Sequence, residues 1–367
     1  MPRISETLAT LAAARMPPVA RGMASRLHAL APADSNPGAL AAWSYVPADL
    51  PPGAPLVVVL HGCTQDAAGY DIGTGWSTLA ERAGFALLFP EQRRANNMNL
   101  CFNWFQSEDI VRRGGEAESI AQLTEQMIAA HGLDRQRIYV TGLSAGGAMT
   151  AVMLATYPDL FAGGAIIGGL PYGCAGGVSQ AMDRMAGRYA GDSDVAALAR
   201  VSEHHAGRQP TVSIWHGTAD KTVVVSNLDR LAAQWRGVHG VETAAPSTNK
   251  TAGWEHDTWS VDGRVVVETW RVAGMGHGVP IDPAGPERLG TAGPYMLASG
   301  IDSTAAIARS WELISAVASV AARPTAKPVT ANVPRPARKA APTPRAKPTS
   351  GIQGVIEDAL RAAGLLK

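Results

Sequence analysis

The sequence predicts an α/β protein whose sheet is mainly parallel and covered by helices on both faces. Three observations carry this. Short β-branched runs alternate with helical patterns through the middle of the chain, the signature of βαβ units. One run, residues 56 to 60 (Leu-Val-Val-Val-Leu), is apolar at every position and so reads as a strand buried on both faces, as a parallel sheet requires. The residues able to do chemistry follow the runs, where open α/β sheets gather their sites, beyond the carboxyl ends of the strands.

In chain order, residues 1–39 form an N-terminal helix and loop: Ile4, Leu8, Leu11 and Ala12 share one helical face, and an Ala/Pro/Gly-rich loop spans 31 to 39. A catalytic domain is expected over 40–321. Ala42-Trp43-Ser44-Tyr45-Val46 alternates as a half-buried strand near one sheet edge and stops at Pro47. The buried run lies between Pro55 and His61-Gly62, and a helix over 76 to 83 ends at Gly84. Phe85 to Phe89 are strand before Pro90, and a helix follows around 116 to 131. Residues 137 to 141 are strand, a second helix reaches Tyr157-Pro158, and strands recur at 164 to 168, 211 to 215 and 265 to 272. A basic, Pro-rich linker (322–350) and a C-terminal amphipathic segment (351–367) complete the chain.

Composition narrows the function. The 367 residues are 46% apolar and 17% charged, which is globular. The formal charge of +1 hides seven Lys/Arg and no acid between residues 323 and 347; without the tail the body stands near −6. Such a body is no general nucleic-acid binder. Three cysteines make no disulfide scaffold, no 18-residue apolar run suggests a transmembrane segment, and Glu6, Thr7 and Thr10 interrupt any signal-peptide core. A cytoplasmic location is therefore expected, with secretion as the alternative.

The chemistry centres on Gly142-Leu143-Ser144-Ala145-Gly146, a G-x-S-x-G pattern between a strand and an apolar helix. Small residues two before and two after the serine let a strained turn pack closely and lift its hydroxyl clear. Helix capping would explain Ser144 but not the flanking glycines. A serine nucleophile needs a base, an orienting acid and oxyanion donors. His277, in the loop Ala273-Gly-Met-Gly-His-Gly278, is the candidate base; His216 is its rival, better suited to shaping the acid's loop. His131, His204, His205, His239 and His256 read as surface residues. Asp220 is the candidate acid, ahead of Asp192 and Asp194 in a polar connection and of Asp257 and Asp262 in a hairpin. The backbone N–H groups of Cys63 and Ala145 are the candidate oxyanion donors. All three cysteines follow strands, which leaves a Cys101 to Cys174 bridge open. No metal-ligand spacing, P-loop or dinucleotide fingerprint appears, so neither metal nor other cofactor is implied. The chain order Ser, Asp, His is that of the α/β-hydrolase fold.

These residues resemble the polyhydroxybutyrate depolymerase family, related to feruloyl and acetylxylan esterases, over about residues 40 to 320. The motifs are His61-Gly62-Cys63-Thr64-Gln65, Pro90-Glu91-Gln92, Cys101-Phe102-Asn103-Trp104-Phe105, the serine pentapeptide with Gly147, Gly169-Leu170-Pro171-Tyr172, Gly276-His277, and Ala292-Gly293-Pro294-Tyr295 before Gly300-Ile301-Asp302-Ser303-Thr304. The resemblance implies a serine esterase acting on short-side-chain polyesters or 3-hydroxybutyrate oligomers through a Ser-His-Asp triad and an acyl-enzyme. It implies that Trp104, Tyr172 and Gln65 line the substrate groove. A feruloyl or acetylxylan esterase, or a granule-associated protein with a hydrolase body, are the alternatives. Ile352, Val355, Ile356, Leu360 and Ala363 at helical spacing suggest a tether to the polymer granule surface.

Overall fold

In the computed structural model, which describes residues 25–32, 35–189, 205 and 207–315, ten strands pair into one sheet. In chain order they are β1 (His28–Ala29), β2 (Ala41–Tyr45), β3 (Leu56–Leu60), β4 (Ala86–Glu91), β5 (Ile138–Leu143), β6 (Gly163–Ile167), β7 (Thr211–Gly217), β8 (Ser247–Lys250), β9 (Trp254–Val261) and β10 (Arg264–Val272). Their spatial order is β1-β2-β4-β3-β5-β6-β7-β10-β9-β8. From β4 to β10 every neighbour is parallel, and both margins are antiparallel. This is the α/β-hydrolase architecture.

The run at β3 shows why such a strand is apolar throughout. Side chains alternate between faces, so Leu56, Val58 and Leu60 enter one core and Val57 and Val59 the other. The first core is closed by α3 (Gly115–His131), α4 (Ala145–Thr156) and α6 (Ser226–Val238), through Ile120, Met149, Val152, Leu231 and Trp235 among others. The second is closed by α1 (Ala67–Thr74), α2 (Trp76–Ala83) and α7 (Ser303–Ser310), through Tyr70, Trp76, Leu79 and Ile307. Helix α5 (Val178–Met185) precedes β7, and a small parallel pair, β11 (Val279–Ile281) and β12 (Met296–Ala298), follows β10. Gly84 ends α2 as expected, in the left-handed region at φ +73°, with its N–H donated to Ala80 O at 2.9 Å.

Two expectations shift. Strand β4 does not stop at Pro90, because β2 pairs beside it as far as Glu91 and sets Ala42 opposite Pro90. Strands β8 and β9 carry no apolar run: Ser247–Lys250 is exposed throughout, and an antiparallel margin needs no second buried face. Among the described residues no helix is long and apolar enough to cross a membrane. The expected N-terminal helix, the linker, the C-terminal amphipathic segment, Asp192, Asp194 and His204 lie outside the described residues.

Candidate active site

Four turns at the carboxyl ends of neighbouring parallel strands meet here. After β5 the chain turns into α4 at Ser144, whose φ of +58° and ψ of −116° a side-chain-bearing residue rarely adopts. Close packing enforces the turn. A Cβ on Gly142 would lie 2.5 Å from the carbonyl of Gly146, and one on Gly146 would lie 2.3 Å from Leu60 O and 2.5 Å from His61 O. Strand β3 thus runs hard against the elbow, and only glycine fits at either position. Ser144 is buried apart from its pocket face, and no protein hydrogen bond engages its hydroxyl among the described residues.

After β7, Asp220 is held entirely from within. Its Oδ1 accepts the N–H groups of Thr222 and Val223 at 2.8 and 2.9 Å, and its Oδ2 lies 2.7 Å from His277 Nδ1 and 3.5 Å from His216 Nε2. Burial alone would raise this carboxyl. The charge of His277 and hydrogen bonding from His216 and His277 outweigh burial and hold it well below the ordinary range. His216 gives its Nε2 proton to Val223 O at 2.8 Å and so shapes the Asp220 turn, while His277 alone of the two lines the pocket with Ser144. The turns carrying acid and base are knitted together: Ala219 N–H donates to Met275 O at 3.0 Å, and a Cβ on Gly217 would lie 2.2 Å from that same carbonyl. Gly168, after β6, packs beneath the His277 ring. With Nδ1–H directed at Asp220, Nε2 of His277 is left to face the pocket as an acceptor.

Asp257 is excluded from this cluster by its own partners. It binds Arg271 at 2.9 Å and Thr248 at 2.6 Å in the marginal hairpin. His256 is not a surface residue: it stacks on Trp270 with centroids 3.8 Å apart and pairs with Glu268 at 2.7 Å, so it is half-buried in that hairpin.

The fourth turn, Gly62-Cys63-Thr64-Gln65, follows β3. Cys63 is bonded to Cys101, not left as a thiol, and Cys174 lies buried outside the bridge, so the Cys101 to Cys174 pairing is corrected. The bridge joins two loops 38 residues apart in sequence. Gln65 lines the pocket, and its Oε1 accepts the N–H of Gly62 at 2.8 Å, so it holds the turn. Buried His61 donates from Nδ1 to Gly62 O at 2.8 Å and accepts the N–H of Gln92 at Nε2, 3.1 Å away; burial lowers its pKa, and the accepting nitrogen requires the neutral ring. Among the described residues no protein acceptor takes the N–H of Cys63 or of Ala145.

The pocket is lined by Gly62, Cys63, Gln65, Leu143, Ser144, His277 and Tyr295. Trp104 and Tyr172 are not among them. Trp104 packs edge-on against Phe105 at 5.4 Å inside the larger core, and the Tyr172 backbone pairs with the Gln234 amide at 3.0 Å in both directions. These loops spend their aromatic rings on their own packing. Sequence reasoning assigned no role to Tyr295, although it closes the quoted Gly293-Pro294-Tyr295 motif, nor to buried Glu116, whose Oε2 accepts Asn103 N–H at 2.8 Å and whose Oε1 accepts from Gln92 Nε2 at 2.5 Å. A larger groove of about 630 Å³ opens at the opposite, amino ends of the strands beside Tyr139, Thr211 and Val265, far from the clustered serine, histidine and aspartate.

Comparison with known proteins shows the family. Residues 43–256 match the model of the family described as "Esterase PHB depolymerase", a span that includes Ser144 and Asp220 but ends before His277. The chain is 45% identical over 269 residues to poly(3-hydroxyalkanoate) depolymerase C of Paucimonas lemoignei, covering 72% of this chain and 64% of that protein. It is 30% identical over 288 residues to acetylxylan esterase A of Aspergillus ficuum, covering 74% of this chain and 92% of that one. The solved acetyl xylan esterase of Aspergillus awamori superimposes with a TM-score of 0.64 at 27% identity, covering 70% of this chain and 95% of that one.

Proposed function

Because the chain belongs to the PHB depolymerase esterase family, we propose that it is a serine ester hydrolase acting on poly(3-hydroxybutyrate)-type polyesters or their oligomers. The observation that carries this reading is the 2.7 Å contact between His277 Nδ1 and Asp220 Oδ2, with His277 lining the same pocket as Ser144. Asp220 fixes the tautomer and stabilises the imidazolium when it forms. His277 Nε2 takes the Ser144 proton as Oγ attacks the ester carbonyl. The carbonyl oxygen becomes an oxyanion facing the N–H groups of Cys63 and Ala145, which cost nothing to reorganise because no protein acceptor holds them. Collapse breaks the ester C–O bond, and His277 returns the proton to the departing alkoxide. Water then attacks the acyl carbonyl as His277 takes its proton, and collapse breaks the bond to Ser144 Oγ, which takes the proton back from His277 as the acid leaves.

The 45% identity to the poly(3-hydroxyalkanoate) depolymerase supports a polyester substrate over an acetylated or feruloylated carbohydrate. Product analysis after incubation with amorphous poly(3-hydroxybutyrate), beside acetylated xylan and methyl ferulate, tests it. Release of 3-hydroxybutyrate units is expected; release of acetate or ferulate alone sinks the polyester reading. The Cys63–Cys101 bridge favours an oxidising compartment, the secreted alternative to the cytoplasmic expectation. The amphipathic segment 351–367, with the basic residues before it, is read as a tether to the polymer granule surface, tested by whether deletion of residues 323–367 lowers co-sedimentation with granules.

A further inference from the structure

Tyr295 stands on the pocket wall with Ser144 and His277, and its backbone lies in the left-handed region at φ +62°, which a bulky residue adopts only where the surroundings over-determine it. One set of ties runs to the base. The Tyr295 ring meets the His277 ring edge-on with centroids 6.2 Å apart, Tyr295 O accepts the N–H of Val279 at 2.7 Å, and a Cβ on Gly278 would lie 2.6 Å from that oxygen. The strained residue is thus locked to the segment carrying His277.

Its hydroxyl ties it to a different turn, the one after β3. The oxygen is closed to solvent and hydrogen-bonded to the Thr64 hydroxyl. Thr64 gives its own proton to Cys63 O at 2.6 Å, so in this pair the phenol is the donor. Burial raises the Tyr295 pKa against the pull of the Thr64 hydrogen bond, so at neutral pH the phenol keeps the proton it donates. Two hydroxyls thus run in series from Tyr295 through Thr64 to the Cys63 carbonyl. Thr64 also lies in the left-handed region, at φ +65°. Two strained residues, one tied to the base and one following Cys63, meet through this contact. Packing against His277 alone would be served as well by phenylalanine, which has no hydroxyl to bury.

We infer that Tyr295 is a positioning residue: by fixing the Thr64 hydroxyl it holds the Cys63 N–H where the oxyanion develops, and it couples that turn to the segment carrying His277. This rests on the serine esterase reading above, in which Cys63 supplies an oxyanion donor. The peptide groups on either side of that donor are both set by side chains. Gly62 N–H is taken by Gln65 Oε1 at 2.8 Å, and Cys63 O is taken by Thr64. Only the second of these has its rotamer set from across the pocket. A donor that drifts is missed chiefly once the carbonyl oxygen becomes charged, so its loss falls on the transition state and not on substrate binding.

The test uses the full chain, with steady-state kinetics on p-nitrophenyl butyrate and inhibition by a trifluoromethyl ketone, whose tetrahedral adduct with a serine carries an oxyanion. Tyr295→Phe keeps the ring and should lower kcat about tenfold, short of the 10² to 10³ for deleting a donor. KM should stay within about twofold, the ketone should weaken by the same factor as kcat/KM, and the pH profile should not move. Thr64→Val removes the acceptor but keeps the branched shape, and should lose at least as much. The double variant should lose no more than Thr64→Val alone, since the two hydroxyls act in series. Thr64→Ser restores a hydroxyl and should restore kcat. A shifted pH profile in Tyr295→Phe would mean that the residue acts through His277, and would overturn the inference alone. Losses that multiply in the double variant, a ketone affinity that does not follow kcat/KM, or full turnover by Tyr295→Phe would overturn it as well. A wild-type enzyme inert toward the ester overturns the esterase reading and this inference with it.

Discussion

Two turns face each other across the pocket, and they are held by different means. The Leu143-Ser144-Ala145 elbow is held by shape: Gly142 and Gly146 leave no room for a Cβ against the carbonyls of Gly146, Leu60 and His61. The Gly62-Cys63-Thr64-Gln65 turn, just across the sheet, is held by side chains from afar. Thr64, at φ +65°, donates its N–H to Asn99 O at 2.7 Å, Cys63 is bonded to Cys101, and His61 engages Gln92. One turn is set by the glycines within its own five residues, packed against β3, the other by side chains and a bridge from loops about 30 to 40 residues away. The first should survive loss of its reactive side chain, and the second should loosen whenever a distant partner is cut.

The sharpest break is Ser144→Ala. Since the glycines and not Oγ hold the elbow, the variant should fold with an unchanged melting temperature while kcat on a soluble ester drops by about 10⁴ or more. Retention of a tenth of the activity would dismiss Ser144 as nucleophile. Somewhat smaller, Asp220→Asn should cost about 10⁴ in kcat, because an amide favours the wrong His277 tautomer. Asp257→Asn, which disturbs only the Arg271 network of the hairpin, should change turnover little. A reversed ranking in steady-state kinetics would move the acid to the hairpin.

Next comes the bridge. Cys63→Ser keeps its backbone N–H, and on sequence grounds alone should cost less than about tenfold. With Cys63 bonded to Cys101, both Cys63→Ser and Cys101→Ser release the turn. The two variants should lose kcat equally, by roughly tenfold and short of the 10² to 10³ for deleting a donor outright. Each should also lose about 2–4 kcal/mol of stability. Dithiothreitol should do the same to wild type and nothing further to either variant. Variants that keep full turnover would show that the Cys63 turn needs no distant tie.

The same contrast explains how much was legible in the sequence. The strand at 56 to 60, the elbow at Ser144 and the order of Asp220 and His277 could be read because each follows from local periodicity or from glycines needed beside the residue they serve. His216 and Asp257 could be demoted from their neighbourhoods alone. What could not be read is what depends on pairing across distance. Cys63 finds Cys101 rather than leaving Cys101 to Cys174, Trp104 and Tyr172 turn into the core rather than the groove, and the exposed β8 forms because the expected hairpin offers it β9 as an edge. Tyr295 carried no periodic signal at all, only a place after Gly293-Pro294.

The smallest expected effect tests the deepest tie of the distant-held turn. Glu116, on α3, is buried and binds both Asn103 N–H and Gln92 Nε2, and Gln92 in turn meets His61 beneath the Gly62-Cys63 turn. Burial pushes its carboxyl up to about 8, although the hydrogen bonds from Asn103 and Gln92 pull the other way. In the unfolded chain the same group titrates near 4.3. Between these values the folded protein holds a proton that the unfolded chain has lost. The contribution of Glu116 to stability is therefore fullest below about pH 4, declines as pH rises to about 8, and is flat beyond. Asp220 has the opposite sign, since its lowered pKa gives a contribution present above about pH 4 and lost in acid. Across pH 5 to 9 Asp220 stays ionised, and Asp302, which burial pushes up to about 6, titrates alike in wild type and variant, so the difference between the two reads Glu116. Glu116→Gln is neutral at every pH, so the melting temperature of wild type minus that of the variant should fall steadily across the lower part of this window and level off above pH 8. Turnover of a soluble ester should barely change, because glutamine still accepts one of the two hydrogen bonds. A difference that is constant, or that grows with pH, would mean that Glu116 is ionised in the folded protein and holds the loop as a charge.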